Sequence, residues 1–462
     1  MLTHQVDRAH RAGNRGLLWC VGWLVAAGWA AAFPLVSTLD THRFWGTCAA
    51  AGYLCSAAVA GLAWSRPWAR TAALAFAVAG AVAVPFLSLV LTGGAQSEVA
   101  VIERSGSLLL QQATPYLAEP RTVVDVTPYL PGMALFGLPR ALSGTDGALP
   151  RLLGDARLWC AAAFLACLWG GRRVLRGTTP RSTSAGEFPY GFAVGVVIAS
   201  PAVALPLVVS GVDLPLVGLL CLALALAARH RPVAAGLALA AACSLKWTAA
   251  PAVAVAFALL RYGAGRRAAV RCALVALAGT AAAVLPSAVL SPRAMAEQVL
   301  AFPTGRGPFP TPASSPLPGR LLADLGPAGW YAAVALLLAG GLAVAVSLVV
   351  RPPRDLVAAA DRLAAGLSLA FLLAPAGRFG YLALPVLLVL WARLACADER
   401  RRAPAGARGG SLRAALRRTG SVRAGSGRTD PVRAGSGHTG SGRAGAAGSG
   451  DRAPLLPAGG AR

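Results

Sequence analysis

Apolar residues in this chain fall into blocks near twenty residues long, divided by short segments that carry arginine and proline. About twenty apolar residues in helical form cross the roughly 30 Å of hydrocarbon in a bilayer. The blocks therefore predict spans at about 16–37, 44–64, 71–93, 157–171, 189–210, 213–228, 232–246, 249–261, 268–290, 329–350, 356–374 and 379–396. The segments near 157–171 and 213–228 are short for a span. Those at 232–246 and 249–261 read either as one kinked element or as two short helices. The expected fold class is all-α, a polytopic integral membrane protein of about 10–12 transmembrane helices.

Two long segments, about 94–156 and 291–328, interrupt the apolar blocks. The first opens Ser97-Glu98-Val99-Ala100-Val101-Ile102-Glu103. Ser97 suits a helix N-cap, which places Glu98 in the first turn, where the helix dipole favours its charged form. Val99, Ile102, Leu109 and Leu110 form one apolar stripe, so an amphipathic helix is expected on the outer membrane surface, ending before Pro115. Tyr129–Leu142 is apolar as well, but Pro128, Pro131 and Pro139 interrupt it and predict a re-entrant or interfacial piece.

Composition agrees with a membrane protein. Only 13% of residues are charged and 56% are hydrophobic, with a mean hydropathy of +0.60. Soluble domains carry about 25% charge, so this chain has too few charges to coat a soluble protein of its size. The net charge of +25 suggests nucleic acid at first sight. Its arginines, however, sit between the apolar blocks and in the tail, which is the pattern of the positive-inside rule. No nucleic-acid partner is expected.

The same arginines set the expected topology. Arg8, Arg11 and Arg15 put the N-terminus in the cytoplasm, and the loops with Arg66/Arg70, Arg172/Arg173/Arg176/Arg181, Arg229/Arg231, Arg261/Arg266/Arg267/Arg271 and Arg351/Arg354 follow them there. The agreement holds only if 232–261 crosses twice, hinged near Lys246–Pro251. Both long loops then lie outside, and they hold Glu98, Glu103, Glu119, Asp125, Asp146, Asp155, Glu297 and Asp324, a large share of the 18 acidic residues. Three regions result: a cytoplasmic N-terminus at 1–15, a transmembrane domain at 16–396, and a cytoplasmic tail at 397–462. The tail is rich in Arg, Gly and Ser, repeats VRAGSG at 422–427 and 432–437, and is expected to be disordered. The first apolar block is long and lacks a clean cleavage site, so it reads as a retained span rather than a signal peptide.

Few residues carry candidate chemistry. Nine cysteines lie almost wholly in apolar blocks without a CxxC and read as small buried hydrophobes. P-loop, Rossmann and zinc-ligand spacings are lacking, so no metal and no cofactor is expected. Glu98 would stand at the mouth of a membrane cavity, where a carboxylate can serve as general base. Lys246 is the sole lysine among 43 Lys and Arg residues and lies in an apolar stretch near the outer face. An ammonium at that depth is costly and marks a functional site or a lysine snorkelling beside Trp247; a compact cation suits phosphate. Asp213 opens a span, and Arg378 falls on the outer side against the positive-inside trend, where it can bind phosphate.

These segments resemble, in order, the GT-C membrane glycosyltransferases. The stretch Ser97–Val101 through Ala113-Thr114-Pro115-Tyr116-Leu117 is similar to the first outer loop of glycosyltransferase family 87, the polyprenyl-phosphate-mannose-dependent mannosyltransferases of actinobacteria. Val126-Thr127-Pro128-Tyr129-Leu130-Pro131-Gly132 resembles that family's Y-x-P segment. Gly236-Leu237-Ala238 through Lys246 resembles its GLALALKPTP segment, and Phe371-Leu372-Leu373-Ala374-Pro375 its final outer motif. Glu98 stands where the family usually has Asp, and Lys246-Trp247 where it has Lys-Pro.

The resemblance implies a GT-C-like fold over about residues 90–395. It also implies an inverting transfer of a hexose, mannose by the family's habit, from a polyprenyl-phosphate sugar to a lipid or cell-envelope glycan acceptor in the plasma membrane. Glu98 would be the base, with Lys246 and Arg378 on the donor phosphate. Glu103, Asp125, Tyr116 and Asp213 are secondary candidates. A secondary transporter or a non-catalytic membrane protein shares the twelve-span layout, although no repeat between halves is visible.

Overall fold

The computed structural model describes residues 2–63, 66–176 and 190–402. Arg181 and residues 403–462 of the tail, with both VRAGSG repeats, lie outside the described residues, while 397–402, expected as the start of the disordered tail, is helical. The described chain is all-α, with no strand among those residues. Among the described residues nine helices are long and apolar enough to cross a membrane, and the bent pair Tyr190–Ala199 and Pro201–Val209 makes ten when it is counted as one broken span. Two shorter apolar helices, Leu214–Ala228 and Pro232–Leu245, complete the set. Every apolar block corresponds to one of these elements. The first helix begins at Leu2, well ahead of its apolar block, because 2–15 holds no proline to stop the hydrogen-bond ladder.

Prolines break the helices, and side chains repair the breaks. Pro201 has no N–H and forces Ser200 into extended backbone, which bends the Tyr190–Val209 pair by 63°. The Tyr53 hydroxyl donates to the Ala199 carbonyl at that bend. In Ala69–Thr92, Pro85 cannot donate to the Ala81 carbonyl four residues back, and the Trp45 indole N–H donates to it at 2.8 Å. Each repair uses a residue of Asp40–Ala63 and spares a buried carbonyl in a region without water.

The expected hinge near Lys246–Pro251 is present. Pro232–Leu245 stops at Lys246, a 3₁₀ turn covers Trp247–Ala249, and a new helix runs Pro251–Ala264. At 1.5 Å per residue, Pro232–Leu245 and Leu214–Ala228 reach only about 21–23 Å, less than the hydrocarbon core. Asp213 and Lys246 stand at the tips of these two short helices.

Above those tips the long loops interlock. Thr114 Oγ1 meets Ser291 Oγ at 2.6 Å. Gln298, 2% exposed, accepts from the Thr127 N–H at 2.9 Å and donates to the Leu117 carbonyl at 2.7 Å. The Gly377 N–H donates to the Ala313 carbonyl, and the Ser315 N–H to the Gly377 carbonyl. The loops near 94–156, 291–326 and 374–378 therefore meet at one end of the bundle. Three long helices, the bent pair and both short helices lie between the first two loops. Six crossings return the chain to the same end.

The amphipathic helix forms as Ser97–Gln112, with two departures from expectation. Gln96, not Ser97, occupies the N-cap position, because its N–H is held by the Val209 carbonyl and its side chain by His42. The first half of the apolar stripe packs on protein, with Val99 and Ile102 buried against Tyr129 and Met133, while Leu110 stays exposed. Two glycines permit the approach, since a Cβ on Gly137 would lie 2.0 Å from the Ile102 carbonyl oxygen, and one on Gly106 would lie 2.3 Å from the Gly137 carbonyl carbon. The last helix, Ala383–Arg402, runs past the expected end of its span at 396.

Candidate functional site

Four charged side chains come together beneath the loop layer, each from the end of an element. Glu98 is the second residue of Ser97–Gln112, and Asp213 is the N-cap residue of Leu214–Ala228. Lys246 is the C-cap residue of Pro232–Leu245. Acids at helix N-termini and a cation at a C-terminus each match the sign of the helix dipole. Arg378 precedes the 3₁₀ turn Phe379–Leu382 in extended backbone.

These side chains form two ion pairs, Glu98 with Arg378 and Asp213 with Lys246. The cluster is thus formally neutral, with two carboxylates and two cations. All four line one cavity of about 860 Å³. Two tyrosines complete its polar end: the Lys246 Nζ lies 4.9 Å from the centroid of the Tyr129 ring and 5.7 Å from that of Tyr381. Burial works against the Arg378 cation, but the Glu98 carboxylate beside it holds the Arg378 pKa above the usual arginine value. Arg378 is accordingly a permanent cation.

The rest of the cavity is apolar. Leu337, Leu338, Gly341, Leu342, Ala345 and Leu348 give it one wall on Pro327–Val350. Those residues cover about 16 Å of helix. Leu356–Leu373 supplies the facing wall down to Arg362. A polar end with a long apolar groove matches an amphiphilic ligand.

Of the secondary candidates, Asp213 lines the cavity, and Glu103, Asp125 and Tyr116 stand elsewhere. Glu103 pairs with Arg140 at 3.1 Å and accepts from the Ala156 N–H at 3.2 Å; burial pushes its carboxyl above the usual range while Arg140 pulls it back. Asp125 closes its own 3₁₀ turn: bonds from the Thr122 hydroxyl and from the Thr122 and Arg121 N–H groups, together with nearby Arg104, hold its carboxyl low. Tyr116 is 1% exposed, and its hydroxyl donates to the Tyr129 carbonyl at 2.9 Å. None of the three lines the cavity. Tyr116 acts on the site indirectly, by fixing the backbone that carries Tyr129.

Sequence reasoning passed over Tyr129 as a site residue, and Tyr381 altogether. The available signal was Tyr381 three residues after Arg378, at the mouth of a span. It also missed the buried pair Asp155–Arg157, 2.8 Å apart, whose guanidinium donates to the carbonyls of Gly94 and Val208 and ties both ends of the first long loop to the bundle.

No curated protein and no solved structure matched the chain. Residues 127–375, more than half of the chain, match the model of glycosyltransferase family 87. Tyr129, Asp213 and Lys246 fall inside the matched stretch; Glu98 precedes it, and Arg378 and Tyr381 follow it.

Proposed function

This chain belongs to glycosyltransferase family 87, and from that premise we propose that it moves a hexose, mannose in the first instance, from a polyprenyl-phosphate sugar to a lipid or cell-envelope glycan acceptor. The observation that carries the proposal is one cavity lined by Glu98, Lys246 and Arg378 at its polar end and by aliphatic helices along its length. Phosphate meets the cations, and the polyprenyl chain lies along the apolar wall. Nucleotide sugars stay in the cytosol, so a lipid-linked donor also accounts for an active site on the outer face of the plasma membrane, with both termini in the cytoplasm.

The chemistry follows from the charges. The acceptor hydroxyl oxygen attacks the sugar carbon from the face opposite the phosphate, and its proton passes to Glu98. The bond to the phosphate oxygen breaks, the electron pair leaves with polyprenyl phosphate, and the configuration inverts. Lys246 and Arg378 stabilise the charge that grows on the leaving phosphate. For Glu98 to act, Arg378 must release it, and the donor phosphate competes for the same guanidinium. Asp213 stands to Lys246 as Glu98 stands to Arg378.

Transfer of radiolabelled mannose from polyprenyl-phosphate-mannose to membrane lipid acceptors, with the full chain in a bilayer, tests the reading. Saturable transfer supports it. Absence of transfer from every lipid-phosphate sugar offered overturns it.

A further inference from the structure

Lysine occurs once in this chain, among 43 Lys and Arg residues. Everywhere else the chain uses arginine, so the exception calls for a local cause. Lys246 sits in extended backbone between a helix end and a 3₁₀ turn, and its Nζ is contacted on three sides. Asp213 reaches it through a single carboxylate oxygen, Oδ1. The Tyr129 ring lies on a second side and the Tyr381 ring on a third.

Both rings are fixed from behind. Tyr129 is 5% exposed; its carbonyl accepts from the Tyr116 hydroxyl, and the next N–H, that of Leu130, donates to the Leu245 carbonyl at 3.0 Å. The same strut therefore holds Tyr129 and the residue preceding Lys246. Tyr381 packs on Phe371, with centroids 5.6 Å apart, and its N–H donates to the Arg378 carbonyl at 3.1 Å. Tyr381 thus links the two cations of the site.

We infer that Tyr129 and Tyr381 form an aromatic cage that positions the Lys246 ammonium at the polar end of the cavity, and that this cage requires lysine in place of arginine. An ammonium is a compact charge that two ring faces can flank while its remaining N–H groups stay free for phosphate. A guanidinium is one bond longer, planar and wide. In this space it would displace Asp213 or one of the rings, and it would present its fork rather than a point charge. The inference rests on reading Lys246 as the phosphate cation; Tyr129 and Tyr381 are positioning residues for it.

A single lysine makes the cage directly observable. Lysine labelled with ¹³C at Cε gives one side-chain signal in this chain. In the full-length protein that signal is expected upfield of free lysine, displaced by the ring currents. It is expected to move towards the free value in Tyr381→Leu and in Tyr129→Leu, and to stay in Tyr381→Phe. A wild-type signal at the free-lysine position overturns the cage, as does a signal that neither leucine variant moves.

Kinetics with polyprenyl-phosphate-mannose read the consequence. A desolvated cation–π contact is worth about a 30-fold change in affinity. Tyr381→Leu is expected to raise donor KM by about that factor with a smaller change in kcat, and Tyr381→Phe to restore KM. Lys246→Arg keeps the charge but is expected to lose donor binding; wild-type KM in that variant overturns the lysine requirement. A caged NMR signal in a protein that transfers from no lipid-phosphate sugar confirms the cage while overturning the donor reading, so the two fail separately.

Discussion

Glu98 and Arg378 lie 280 residues apart in the chain and form an ion pair at the polar end of the cavity. The carboxylate proposed as base is therefore paired with a cation. In the proposed reaction, a guanidinium that holds the base and also meets the donor phosphate would couple phosphate binding to release of the base.

Glu98→Gln keeps size and most hydrogen bonding but cannot take a proton. Turnover is expected to fall by roughly two to four orders of magnitude, the usual worth of general base catalysis, while donor KM falls because Arg378 is no longer held by a carboxylate. Steady-state transfer kinetics check this. Wild-type turnover in the variant would reduce Glu98 to a helix-start residue; Glu103 and Asp125 are poor replacements because both are committed to partners outside the cavity.

Arg378→Ala removes a cation from the phosphate end. A hydrogen bond to a charged group is worth about 1.5–3 kcal/mol, so donor KM is expected to rise roughly 10- to 150-fold. Donor titration in the same bilayer system measures it. An unchanged KM would mean that Arg378 serves only to hold Glu98.

Tyr116→Phe leaves the Tyr129 carbonyl without its donor in a buried place. The expected cost is about 1–3 kcal/mol of stability. Turnover per folded molecule is expected to fall only a few-fold, because the Tyr116 hydroxyl does not reach the cavity and acts on it only through the Tyr129 backbone. Thermal unfolding in detergent, paired with activity, separates the two effects. A turnover loss without a stability loss would return Tyr116 to the chemical site.

Asp155→Asn breaks a buried, fully bonded ion pair and leaves Arg157 uncompensated. A cost of about 3–5 kcal/mol is expected. Adding Arg157→Met to the same chain is expected to recover part of it, because the unpaired buried charge is gone. Unfolding midpoints of the two variants decide the matter, and a double variant no more stable than the single one counts against the account.

The proposed topology puts the N-terminus and position 400 in the cytoplasm, with Gln112 and Gly305 outside. In a cysteine-free background, Gln112→Cys and Gly305→Cys are expected to react with an impermeant thiol reagent from the outer face alone. Labelling of Gln112→Cys only from the cytoplasm would invert the topology and move the active site with it.

The sequence by itself determined the membrane, the spans and the hinge. Hydrocarbon admits only backbone that satisfies its own hydrogen bonds, so block length and apolarity alone fix where helices lie. That constraint is local, and the break at Lys246–Pro251 followed from loop arginines and span parity. Glu98, Lys246 and Arg378 were also legible one by one, since a charge near an apolar block is costly wherever it sits. Only the tertiary structure decided how these charges pair: Glu98 with Arg378, and Lys246 with Asp213 rather than with solvent beside Trp247. Only it excluded Glu103, Asp125 and Tyr116 from the cavity and brought in Tyr381. Pairing depends on which helix ends meet beneath the loops. That is settled by packing between segments far apart in the chain, such as Gly106 on Gly137 and Leu130 on Leu245, for which a linear pattern carries no signal.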